Sequence, residues 1–91
     1  NKVTAAFRIA RGGITSVSID PREIFAPVIL AAAPGVIIAH NHPSGDPHPS
    51  SEDWALTRRV KSAASDLGIA FLDHIIIAAD RNFSFAGDGG L

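Results

Sequence analysis

Two kinds of apolar spacing alternate along the chain. Residues 3–11 (VTAAFRIAR) mix β-branched and other apolar types and stop at Gly12-Gly13, a hairpin-type break, which predicts a strand. Residues 14–19 (ITSVSI) alternate apolar and polar with period two, predicting a second strand with one buried face. Asp20-Pro21-Arg22-Glu23 predicts a helix start, with Asp20 as N-cap, Pro21 at the first position and Glu23 reaching back as in a capping box. The run IFAPVILAAA carries that helix to about Ala33, with Pro27 as a point of bending.

Residues 35–40 (GVIIAH) form a short, continuously apolar run after Pro34, predicting a buried strand. A second helix is expected over residues 51–67, closed by Gly68. Its Leu56, Val60, Ala63, Ala64 and Leu67 share one face, while Arg58, Arg59 and Lys61 fall largely off it as a solvated face. Residues 69–78 (IAFLDHIIIA) predict a β-branched strand, ADRN a turn, and residues 83–85 (FSF) a short returning strand before a loose AGDGGL tail. The order strand, strand, helix, strand, helix, strand, strand predicts an α/β sandwich, a mixed sheet flanked by helices, in a single domain.

Composition narrows the function classes. Eight basic against nine acidic residues leave a formal charge of −1, which gives no electrostatic case for nucleic acid. The absence of cysteine excludes disulfides and thiolate metal sites and fits a reducing compartment, so a cytoplasmic location is expected. The most apolar run, residues 26–39, is too short to span a bilayer and is interrupted by Pro27, Pro34 and Gly35, so no membrane partner is expected.

The chemistry concentrates in residues 39–53, AHNHPSGDPHPSSED. Residues i and i+2 of an extended chain point the same way, so His40 and His42 can converge on one point. Asp53 opens the next helix, and a loop shaped by Pro43, Gly45, Pro47 and Pro49 can bring it back over them. Two imidazoles and a carboxylate suit zinc, and three protein ligands leave a fourth position open, as in catalytic sites. A plainer reading stands beside this one. Ser50-Ser51-Glu52-Asp53 also matches a capping box, and the histidines could be polar residues at a strand end. His48 reads as an exposed loop residue, His74 as a satisfied, partly buried histidine, and Trp54 as a cover for the helix start.

The stretch HNHPSGDPHPSSED closely resembles the JAMM (MPN-plus) motif: His-x-His, ten residues, Asp, with Ser three before the Asp. PREIF, AHNHPSGDP, PS and LDHIII in this order look specifically like the RadC family, over residues 9–77. The resemblance implies a cytidine-deaminase-like α/β sandwich with zinc held by His40, His42 and Asp53. It implies that Ser50 steadies the oxyanion while zinc-bound water attacks an amide carbonyl of a peptide or protein substrate. The metallo-β-lactamase pattern His-x-His-x-Asp-His fails at Ser44, and deaminases need cysteines.

The family pattern also places a general-base Glu on a strand further ahead of the first ligand than the 39 residues that precede His40. The only glutamates are Glu23, assigned to a helix cap, and Glu52, about 100° around the helix from Asp53. Asp46 is the remaining loop carboxylate that could stand in. The expectation is therefore a domain over residues 1–91 that lacks its first strand, binds metal without turning over, and self-associates through the exposed sheet edge. The alternative is a non-catalytic metal-binding or interaction module in a DNA repair-associated protein.

Overall fold

The structure is a computed structural model that describes residues 19–42 and 44–91. The strands expected over residues 3–11 and 14–19 lie outside the described residues, Ile19 apart, and with them the expected open edge. The described elements are α1 (Pro21–Leu30), β1 (Gly35–Asn41), α2 (Ser51–Leu67), β2 (Ala70–Ala78) and β3 (Arg81–Ser84). β2 is the centre of a three-stranded sheet, parallel to β1 and antiparallel to β3. This is the α/β architecture with a mixed sheet flanked by helices. Parallel pairing of β1 and β2 requires a crossover, and α2 supplies it.

α1 starts where the Asp-Pro pair predicts. The Asp20 carboxylate accepts the Arg22 N–H (2.9 Å) and the Arg22 guanidinium (2.8 Å), so its partner is Arg22 rather than the expected Glu23, which is exposed. Pro27 sits inside α1 without ending it. The helix stops at Leu30, three residues before the expected Ala33. Ala32 turns into the left-handed region (φ 52°), its N–H bonds the Ile29 carbonyl, and the Ala33 N–H bonds that of Val28. That is a Schellman closure built on alanine.

α2 ends the same way on glycine. Gly68 has φ 70°, and the Ile69 N–H bonds the Ala64 carbonyl. A side chain in this conformation costs about 1–2 kcal/mol. Ala32→Gly should therefore raise stability by about 1 kcal/mol and Gly68→Ala lower it by about as much. At roughly 4–8 °C per kcal/mol for a domain of this size, the two melting temperatures move in opposite directions.

The core forms between the helices and one face of the sheet. Ile24, Phe25 and Val28 of α1 meet Leu56, Val60 and Ala64 of α2, and Val36, Ile38 and Phe71 of the sheet pack against them. Leu67 belongs to the last turn, beyond Ala64, and is half exposed. On the opposite face Ile37, Leu72 and Ile77 are exposed among the described residues.

The strands are out of simple phase. Val36 pairs with Phe71 but Ile37 with Asp73, so β2 carries one extra residue, Leu72, at a bulge. Phe71 before the bulge and His74, Ile76 and Ala78 after it consequently face inward. β2 turns at Ala79 and Asp80 into β3, which begins at Arg81 and ends at Ser84. Phe85, expected in that strand, lies just past it and is fully buried.

Candidate metal centre

His40 is the penultimate residue of β1, and His42 follows the strand with its N–H still bonded to the Ile77 carbonyl (2.9 Å). Alternation brings both rings to one side, their Nε2 atoms 3.1 Å apart. Asp53 arrives from the first turn of α2, where helix N–H groups favour negative charge. Its placement is local in origin. Ser50 Oγ accepts the Asp53 N–H (3.1 Å), and Asp53 Oδ2 accepts the Ser50 N–H (2.8 Å). The capping box and the gathering of His40, His42 and Asp53 are thus one arrangement, not rival ones.

Asp53 Oδ2 lies 3.0 Å from His42 Nε2, and Oδ1 lies 3.3 Å from His40 Nε2. An ion about 2.0–2.2 Å from each of three tetrahedral ligands would separate them by roughly 3.3–3.6 Å, so the observed triangle needs only a slight expansion. Among the described residues this is the group able to hold a metal ion.

Proton accounting points the same way. His42 Nδ1 faces the Asp46 backbone carbonyl (3.0 Å), which can only accept, so Nδ1 carries the proton. In neutral His42 the inward Nε2 is then a bare lone pair, set against a carboxylate oxygen. Either a second proton on His42 or a metal ion between the two groups satisfies that contact. Burial holds the His40 imidazole below its ordinary pKa, outweighing the opposing pull of Asp53. A neutral imidazole is the form that ligates metal.

Behind His40 lies a second layer that sequence reading did not connect to the site. His40 Nδ1 is 2.8 Å from His74 Nε2, and His74 Nδ1 is 2.7 Å from Thr57 Oγ1. His74 and Thr57 are both buried, and His74 stacks on Phe85 with ring centroids 4.4 Å apart. His74 is therefore satisfied, as read from the sequence, but by the outer nitrogen of a candidate ligand. One signal could have found Thr57: it lies four residues after Asp53, on the same side of α2.

The other candidates fall outside the triangle. His48 is exposed in the loop, its Nδ1 2.6 Å from Asp46 Oδ1. The Asp46 carboxylate is thereby engaged, and the residue meets the site through its backbone. Glu52 is exposed beside Asp53, as are Arg58, Arg59 and Lys61 further along α2. Trp54 covers the helix start with its ring edge on Phe85, at 4.7 Å between centroids.

Burial also depresses His74, to about 4, with the neighbouring His40 acting in the same direction. Between about pH 6.5 and 4 the unfolded chain therefore binds a proton that the folded chain refuses. In the metal-free chain, stability is complete above pH 6.5 and falls with pH through that window, by on the order of 3 kcal/mol. Urea midpoints at pH 7 and pH 4.5 measure the loss, and His74→Gln should flatten it.

Comparison with known proteins places these residues in context. The sequence profile described as "RadC-like JAB domain" matches residues 1–90. A UPF0758 protein of Trichlorobacter lovleyi is 46% identical over 89 residues, covering 98% of this chain and 39% of that protein. One of Geobacter sulfurreducens is 42% identical over 89 residues, with the same coverage. One of Thermotoga maritima is 49% identical over 73 residues, covering 80% of this chain and 33% of that protein. The chain spans about two fifths of the length of the first two.

Proposed function

Because this chain belongs to the family of RadC-like JAB domains, we propose that His40, His42 and Asp53 hold a zinc ion and form the metal half of an amide hydrolase centre. The observation that carries the reading is the convergence of His40 Nε2, His42 Nε2 and the Asp53 carboxylate, 3.0–3.3 Å from one another. Two imidazoles and one carboxylate are a donor set that suits zinc, and as three ligands they leave a position open. A zinc ion bound there supplies a Lewis acid and lowers the pKa of water towards neutrality.

The residues of the chain hold and orient. Asp53 is fixed by the backbone it caps, His42 by the Asp46 carbonyl. Ser50 Oγ receives the Asp53 N–H, which leaves its hydroxyl hydrogen able to donate to negative charge growing on a substrate carbonyl oxygen. The substrate class we assign is a peptide or protein amide bond. Neither glutamate belongs to the triangle, since Glu23 and Glu52 are both exposed. Turnover also needs a general base, a role that neither glutamate fills from its described position, and we read the described residues as a metal-binding module.

Elemental analysis of the purified chain, dialysed without chelator, tests the reading. Near one zinc per chain is expected. At zinc concentrations 100-fold above Kd, unfolding should become harder by about 2.7 kcal/mol. A chain that retains no metal after zinc is offered refutes the proposal.

A further inference from the structure

The two histidines of the triangle are held from behind by different chemistry. The carbonyl behind His42 accepts and does nothing else, so that ring has one available tautomer. The imidazole of His74 behind His40 can donate or accept, and the Thr57 hydroxyl behind His74 can do both. The contacts at 2.8 and 2.7 Å therefore admit two directions. If His74 Nε2 carries the proton, His40 accepts at Nδ1, and its own proton sits on Nε2, inside the triangle. If His40 Nδ1 carries it, the proton of His74 moves to the Thr57 side and His40 Nε2 is bare. Only the second direction leaves His40 able to ligate.

Resting on the zinc reading above, we propose that His74 is the positioning residue for His40: it accepts the His40 Nδ1–H at Nε2 and donates its own Nδ1–H to Thr57 Oγ1. The surroundings suit this role. His74 is fully buried, so water cannot substitute for it. Its ring lies within 7° of parallel to Phe85, which fixes the plane in which Nε2 meets His40. Phe85 is pinned in turn by Asp73, whose carboxylate accepts from the Ser84 hydroxyl (2.6 Å) and the Ala86 N–H (3.0 Å) on either side of it. The partners that orient metal-binding histidines are usually carboxylates, carbonyls or water; here a second histidine takes that place.

Zinc competition against a chromophoric chelator, on the full chain and two variants, tests this. His74→Phe keeps a ring against Phe85 and removes the acceptor; it should weaken zinc binding by about 10–100-fold. His74→Gln restores an acceptor oxygen at the same reach and should retain most of the affinity, which a space-filling role would not predict. A second readout needs no variant. In the zinc-loaded chain, ¹⁵N spectra of the histidine rings should show His74 protonated at Nδ1 and bare at Nε2.

His74→Phe binding zinc as tightly as the unaltered chain, or a proton on His74 Nε2 with zinc bound, overturns the inference and leaves the zinc reading standing. If His74→Phe does not fold, the nitrogen spectra decide alone. Failure of the unaltered chain to bind zinc at all removes both.

Discussion

On the zinc reading, His42→Ala should weaken zinc binding by roughly two to three orders of magnitude while leaving the metal-free fold nearly unchanged. The side chain is only partly buried, its outer partner, the Asp46 carbonyl, lies in an exposed loop, and the buried Asp53 carboxylate on its inner side keeps the Ser50 N–H. The loss falls on the ion. Zinc in peptide sites is bound with roughly 10–16 kcal/mol shared among four ligands, so one imidazole would account for about 2.5–4 kcal/mol, or on the order of 10²–10³ in Kd. The chelator competition should register that change, while the urea midpoint without metal moves by less than about 1 kcal/mol. Asp53→Ala makes the useful contrast. It removes another member of the triangle, the carboxylate, and with it half of the capping box, so on the same reading it should lose zinc and roughly another 1–2 kcal/mol of stability. Unimpaired zinc binding by His42→Ala would show that the triangle is not the site.

The second large effect is on stability. Phe85→Ala should cost about 3–5 kcal/mol, in the range for removing a buried aromatic ring. Phe85 is fully buried, stacked on His74, and met edge-on by Trp54 and Phe83. Truncation leaves a void bounded by the rings of Trp54 and Phe83 and by the hydrogen-bonded His74, none of which can collapse into it without breaking its own contacts. A domain of this length has roughly 5–14 kcal/mol of stability in all, so much of it goes. Urea unfolding should show a lower midpoint with an unchanged slope. The variant should also bind zinc more weakly, because His74 loses the surface that sets its plane. Full stability in Phe85→Ala would mean that the aromatic stack contributes little.

Features that depend on neighbours in the chain were legible from sequence. The Asp20-Pro21 start, the Ser50–Asp53 cap and the Gly68 stop each depend on residues within one turn, and each lies where the pattern predicts. The motif likewise brings out His40, His42 and Asp53, because alternation along a strand end and one short loop are enough to gather them. Features decided between elements were not legible. α1 closes on Ala32, a residue with no left-handed preference, so nothing marks the stop before Pro34. β3 begins at Arg81 because its register is set by pairing with Ala78 across a two-residue turn. His74 meets His40 only through the register of two parallel strands, and Thr57 meets His74 only through the packing of α2 on the sheet. No local spacing encodes either contact.

The extra residue in β2 has a consequence for length variation in this strand. Leu72 offsets the alternation by one, so Phe71 and His74 can both face the helices although three positions separate them. Deleting Leu72 would only remove the bulge: Phe71, Asp73 and His74 would stand opposite Val36, Ile37 and Ile38 in plain alternation, on the faces they have now. Losing a residue further along is different. Because Ile75, Ile76 and Ile77 are identical in type, loss of any one gives the same chain, and hydrophobicity alone would not register it. Period-two alternation would then put either His74 or Ala78, both buried now, on the wrong face. The strand thus tolerates exchange of its isoleucines far better than it tolerates a change in their number.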